Sequence, residues 1–236
     1  MLIKLININI SNLMQNFKQL YFDMPSKTSF DLENYMVSNS NNFAFDMIVK
    51  MLKNKIEVGV ITGPAFSGKT HLSRILLNNM KTNNALYFDR DYQNVTSKIE
   101  ISKLLVIENI DKVMKDNAEE HLFHIINFVK ENKKKLLMTS RKPISEIKIQ
   151  LEDLKSRLNS ILEAKINQPD DELVRLLLIK IFNDKQLKVN PAVINYLLRR
   201  IDRSFESINN FVKKIDEFSL EKGRKITVNL VSGFFN

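Results

Sequence analysis

Eight consecutive residues carry the strongest chemical signal in the sequence. Gly63-Pro64-Ala65-Phe66-Ser67-Gly68-Lys69-Thr70 is a complete G-x-x-x-x-G-K-[ST] phosphate loop. Glycines let successive backbone N–H groups curl around a phosphate, and the N-terminus of a following helix adds partial positive charge. Lys69 would reach the terminal phosphates, and the Thr70 hydroxyl would ligate Mg²⁺. The chain has only five glycines and places two of them here, which argues against a chance match. A second signal is the apolar run Leu104-Leu105-Val106-Ile107, which ends in Glu108-Asn109-Ile110-Asp111. A carboxylate at such a strand end holds Mg²⁺, and a second acid beside it orients an attacking water. Here the first place is Glu108 and the second is Asn109, whose amide cannot act as a base. The pattern therefore favours nucleotide binding over fast hydrolysis, with Asp111 as the one further acid nearby.

Such groups must be held at the ends of buried strands, and the hydrophobic pattern supplies candidates. Short apolar runs at Ile56–Thr62, Ala85–Phe88, Leu104–Ile107, Lys135–Thr139 and Ile161–Ile166 read as strands. Helical spacing at Lys69–Met80, Ala118–Glu131 and Ile144–Leu158 alternates with them. That alternation predicts a parallel sheet with helices on both faces. After Pro169 the strands stop, and Asp170–Asp184, Pro191–Arg200 and Phe205–Glu221 read as helices before a short final segment after Gly223. The expected organisation is an N-terminal tether over 1–25, an α/β nucleotide-binding domain over 26–167 and a small all-helical domain over 168–236.

Composition excludes several other classes. With 236 residues, 44% hydrophobic and 27% charged, the chain can bury a core and is not a disordered polymer. It has no cysteine, which excludes disulfides, thiol catalysis and Cys-ligated zinc. Three histidines, His71, His121 and His124, leave little for a His-based metal site. The 36 Lys+Arg against 27 Asp+Glu give a net charge of +9, which suits an anionic partner without choosing one. No run approaches membrane length, and Met1–Ile10 is too short and too polar to span a bilayer, so a cytoplasmic protein is expected. Met14 offers an alternative start, which would make residues 1–13 an extension.

Beyond single motifs, the sequence resembles the DnaA-like AAA+ family over roughly residues 17–236. Phe30–Ile48 is similar to the segment before the phosphate-loop strand, which implies adenine contact by the backbone around Met36 and Val37. His71-Leu72 extends the phosphate loop as family members do, adding His71 to the nucleotide-binding set. His121–Pro143 is similar to the helix and strand that place a polar sensor at the γ-phosphate end, here Thr139-Ser140. "LEDLKSRL" (Leu151–Leu158) resembles the segment carrying the family's arginine finger, which puts that role on Arg157. Leu197–Ile208 looks like the second sensor helix, with Arg203 at the sensor position. The fold so implied is a P-loop AAA+ domain followed by a helical lid, with ADP or ATP and Mg²⁺ as cofactors.

DnaA continues into a domain that reads duplex DNA, whereas this sequence runs out after the lid. Its Ile107-Glu108-Asn109 pattern is nearer to Hda, the short homologue, than to DnaA's paired aspartates; Glu108 departs from both. The resemblance implies a regulator that works with the sliding clamp to stimulate DnaA-ATP hydrolysis. An adaptor or loader at the origin or for a helicase is the competing expectation, and Asn109 argues against a free-standing ATPase. Gln19-Leu20-Tyr21-Phe22-Asp23-Met24 resembles the clamp-binding peptide of Hda, through Gln19, Leu20 and Phe22. The resemblance leaves room for DNA contact without sequence preference and for a homo-oligomer. Lys133-Lys134-Lys135 reads as a solvated loop, and His121 and His124 as structural or surface residues.

Overall fold

A computed structural model describes residue 32 and residues 35–80, 84–88, 96–113, 118–222 and 225–235. Its order is α1 (Asn42–Leu52), β1 (Val58–Thr62), α2 (Lys69–Asn79), β2 (Ala85–Phe88), α3 (Thr96–Ile101), β3 (Leu104–Ile107), α4 (Ile110–Val113), α5 (Glu119–Glu131), β4 (Lys135–Ser140), α6 (Glu152–Asn159) and β5 (Leu162–Lys165). Four helices follow: α7 (Asp171–Asp184), α8 (Pro191–Leu198), α9 (Phe205–Lys222) and α10 (Val228–Ser232). All five strands are parallel, in the order β2-β3-β4-β1-β5. The segment Gln19–Phe22 lies outside the described residues.

The central strands are mostly apolar, β3 at every position, because both sheet faces are covered, and alternate side chains go to opposite faces. Leu105, Ile107, Leu136, Met138 and Val60 pack against Leu122, Ile126 and Val129 of α5 and Leu154 and Leu158 of α6. Leu104, Val106, Leu137 and Ile61 pack on the other side against Met47, Ile48 and Met51 of α1 and Leu72, Ile75 and Leu76 of α2. The four C-terminal helices close on their own core, built from Val174, Leu178, Phe182, Leu197, Ile208 and Val212 among others. Their starts are fixed by side-chain caps: Asp170 accepts the Leu173 N–H at 2.8 Å, and Asn190 accepts the Ala192 N–H at 2.9 Å ahead of Pro191. Leu173 and Phe205 pack into the sheet-side cluster, joining the lid to the α/β domain. The result is a parallel α/β sheet domain followed by a small all-helical domain. Among the described residues no helix is long and apolar enough to cross a membrane.

Two local expectations are revised. Ile144–Leu158 is not one helix: a 3₁₀ turn at Ile144–Glu146 precedes an extended stretch, and α6 begins only at Glu152. The Glu119 carboxylate accepts the Gln150 N–H at 3.0 and 3.1 Å and the Leu151 N–H at 2.7 Å, while Ile147, Ile149 and Leu151 alternate onto the core. Charge-assisted bonds and burial at period two outweigh helix propensity there. Of the lysine run only Lys133 is exposed as expected, whereas Lys134 and Lys135 are tied into the fold. Lys134 Nζ donates to the carbonyls of Ile99, Glu100 and Ser102 at 2.8, 2.5 and 3.0 Å, and Lys135 is buried with its ammonium on Asn54. These contacts close the end of α3 and the start of β4.

Candidate nucleotide site

Register brings the candidate residues together. Ile61 pairs with Thr139 and Ile107 with Met138, so the C-terminal ends of β1, β3 and β4 lie side by side. Ligands of open parallel sheets bind outside those ends. The phosphate loop leaves β1 there and turns back into α2. Gly63 packs so closely that an added Cβ would lie 2.9 Å from the Ile166 carbonyl oxygen. Gly68 adopts φ +91, left-handed geometry that glycine takes without strain. Phe66 adopts φ 62 and is 60% exposed, an uncommon state for a bulky residue.

Lys69 is buried inside the loop, its Nζ donating to the carbonyls of Gly63 and Pro64, both at 2.7 Å, with Ser67 Oγ at 3.4 Å. Burial, followed by the positive charge of Arg141, holds the ammonium down to about 8, against the pull of Glu108 and Asp111. An anion in the loop would supply the charge that the carbonyl dipoles only partly replace. The first N–H groups of α2 lack intrahelical partners and face the same end.

Glu108 links three elements. Its Oε2 accepts from Thr70 Oγ1 of α2 at 2.8 Å and from Thr139 Oγ1 of β4 at 3.3 Å. The Asn109 N–H donates to the same Thr139 hydroxyl at 3.1 Å, and Asn109 itself is left-handed at φ 55. Glu108 is 3% exposed, and among the described residues its Oε1 has no hydrogen-bond partner. A buried carboxylate oxygen without a partner is costly. Together with the Thr70 hydroxyl it offers a hard-oxygen donor set suited to Mg²⁺, which takes one or two protein oxygens and completes its shell with phosphate and water. Among the described residues no cluster of three His, Asp or Glu side chains forms an all-protein metal cage. Asp111, the remaining acid, accepts the Arg141 N–H at 2.9 Å.

The cavity beside the loop measures about 170 Å³ and runs between the α/β domain and the lid. Met36 and His71 line it, as do Phe66, Ser67 and Gly68. The Met36 carbonyl accepts Asn41 Nδ2 at 2.8 Å, and Val37 is 41% exposed. His71 meets Tyr35 edge-on at 5.5 Å. The lid contributes Leu173, Leu177 and Lys180 from α7 and Phe205 and Asn209 from α9.

Two predicted arginines lie elsewhere. Arg203 precedes α9, is exposed and pairs with Asp171 at 2.8 Å, so the structure does not bring it to the cavity lining. Arg157 is exposed in the last turn of α6. Sequence reasoning overlooked Arg141, although a basic residue directly after Thr139-Ser140 was a usable signal. It also overlooked Tyr35 and the lid side chains, which no local pattern marks.

Residues 170–234 match the family described as "Hda, lid domain". The chromosomal replication initiator protein DnaA of Borreliella afzelii is 25% identical over 242 residues, covering 92% of this chain and 48% of that protein. The chain spans about half the length of the curated relatives it matches. Domain III of Thermotoga maritima DnaA superposes with TM-score 0.76 at 19% identity, covering 90% of this chain and 99% of the other. AMPPCP-bound DnaA from Aquifex aeolicus superposes with TM-score 0.67 at 19% identity, covering 81% and 66%.

Proposed function

We propose that this chain, a DnaA-like AAA+ protein related to Hda, binds ADP or ATP with Mg²⁺ and regulates replication initiation by acting on a neighbour's nucleotide. The observation that carries the reading is the buried contact of Glu108 with Thr70 and Thr139 beside the Lys69 loop, with an asparagine in place of a second acid. The loop N–H groups and Lys69 bind the phosphates; Thr70 and Glu108 would hold the metal, and Thr139 orients the Glu108 carboxylate. Mg²⁺, when bound, neutralises phosphate charge. Asn109 provides no base, so intrinsic turnover is slow. The AMPPCP-bound DnaA relative supports adenine as the base.

Arg157 is the group offered to the neighbour. It stands exposed on α6 and makes no ion pair among the described residues. Guanidinium stays charged and can bridge two phosphate oxygens in one geometry. In trans such a group is worth about 10³–10⁵ in phosphoryl-transfer rate. The acceptor in this reading is ATP-loaded DnaA in the cytoplasm, with the sliding clamp engaged through Gln19, Leu20 and Phe22.

The reading divides into separable tests. Lys69→Ala should abolish the melting shift given by ADP or ATP, which at about 100 times the dissociation constant amounts to roughly 2.7 kcal/mol. An undiminished shift removes the nucleotide site. Arg157→Ala should keep that shift yet lose stimulation of single-turnover phosphate release from ATP-loaded DnaA with clamp on DNA. Full stimulation by the variant leaves Arg157 structural. Stimulation by neither protein favours an adaptor or loader role.

A further inference from the structure

Tyr35 is a second polar group buried at the site without a hydrogen-bond partner among the described residues. It is 9% exposed, stacks on Phe45 with ring centroids 5.6 Å apart and meets His71 edge-on. Among the described residues its hydroxyl makes no hydrogen bond. The Asn41 side chain lies close enough to favour the ionised phenol, yet it is not in hydrogen-bonding geometry with the hydroxyl. Its amide is turned to the backbone instead: Oδ1 accepts the Ser38 N–H and Nδ2 donates to the Met36 carbonyl, each at 2.8 Å. Burial raises the phenol above its usual range, so the group remains a protonated donor.

The hydroxyl is not simply lost in the core. Tyr35 lines the cavity between the phosphate loop and the lid. A Cβ on Gly68 would lie 3.3 Å from both Tyr35 Cε2 and Oη, so the missing side chain at Gly68 is what admits the ring to this position. Phenylalanine would supply the same stacking without leaving a buried hydroxyl unpaired, which costs stability. What the tyrosine adds over phenylalanine is one donor and one acceptor on a residue that lines the cavity.

We propose that the Tyr35 hydroxyl is a specificity-determining contact to the nucleoside part of the bound nucleotide, hydrogen-bonding its sugar or base and not its phosphates. The assignment rests on the nucleotide-binding reading above. It places recognition in two layers: the loop and Lys69 take the phosphates, and Tyr35 takes the nucleoside where α7 and α9 of the lid close over it. A binding site built to satisfy a buried hydroxyl discriminates against ligands that leave it empty.

The test compares wild type with Tyr35→Phe, using ADP and pyrophosphate as ligands and melting temperature together with calorimetric affinity as readouts. Without ligand, the variant should melt at or above the wild-type temperature, because it removes an unpaired buried group. Its affinity for ADP should fall roughly five- to tenfold, the worth of one neutral hydrogen bond. Affinity for pyrophosphate, which reaches only the loop, should not change. Unchanged ADP affinity overturns the proposal, as does equal weakening of both ligands in a variant that melts lower, which marks a structural role. Failure of wild type itself to bind ADP overturns the nucleotide reading instead.

Discussion

Lys69 provides a quantitative check on how the phosphate loop is built. The perturbation is pH, from 7 to 9.5, applied to ligand-free wild type and to Lys69→Met, which keeps an apolar stem and removes the ammonium. Burial and the Arg141 charge hold the folded Lys69 at about 8, against 10.5 for the free group. Below pH 8 both folded and unfolded states carry the proton, and the cost of burying the charge is borne in full. Between the two values the unfolded chain binds more protons than the folded one, so stability rises with pH through that window. By pH 9.5 the folded lysine is mostly neutral and the unfolded one mostly charged, and linkage gives a gain of about 2 kcal/mol over pH 7. At this chain length each kcal/mol is worth about 2–4 °C of melting temperature. Wild type should therefore gain about 4–8 °C on Lys69→Met across the range, read by differential scanning calorimetry. Titrations common to both proteins cancel in the difference. A gap that stays constant to within about 1 °C would refute a desolvated ammonium inside the Gly63–Pro64 carbonyl ring.

Two further outcomes test the neighbouring groups. Gly68→Ala forces a side chain into φ +91 and places its Cβ 3.3 Å from the Tyr35 ring, so it should destabilise by about 1–2 kcal/mol and weaken ADP binding; a melting temperature equal to wild type would contradict the loop geometry. Glu108→Gln keeps an oxygen acceptor for Thr70 and Thr139 but removes the charge, so the ADP shift in EDTA should persist while the extra shift on adding Mg²⁺ disappears. Full retention of the Mg²⁺ increment would remove Glu108 from the metal site.

Much of the phosphate-binding half was legible because it is local. Gly63, Gly68, Lys69 and Thr70 fall within eight residues, and their spacing alone dictates a loop that wraps an anion before a helix. The strand at Leu104–Ile107 announced itself by being apolar at every position, the mark of burial on both faces. Asn109 could be recognised as no base from its side chain alone. Contacts formed across distance were decided elsewhere. Glu108 reaches Thr70 across 38 residues, and only the β3-β4-β1 order makes that a 2.8 Å bond. Ile144–Leu158 has a helical pattern, yet Glu119, more than 30 residues upstream, draws two backbone N–H groups out of it. Arg203 sits at the sensor position by resemblance, but the start of α7 supplies Asp171 as its partner. Tyr35 shows the same limit: nothing in its neighbours along the chain says that its ring will face Gly68. Local spacing encodes groups that act on one ligand from one turn of backbone. Burial, pairing and the missing partner of a buried hydroxyl depend on which distant surfaces the folded core presses together, so they are properties of the packed molecule.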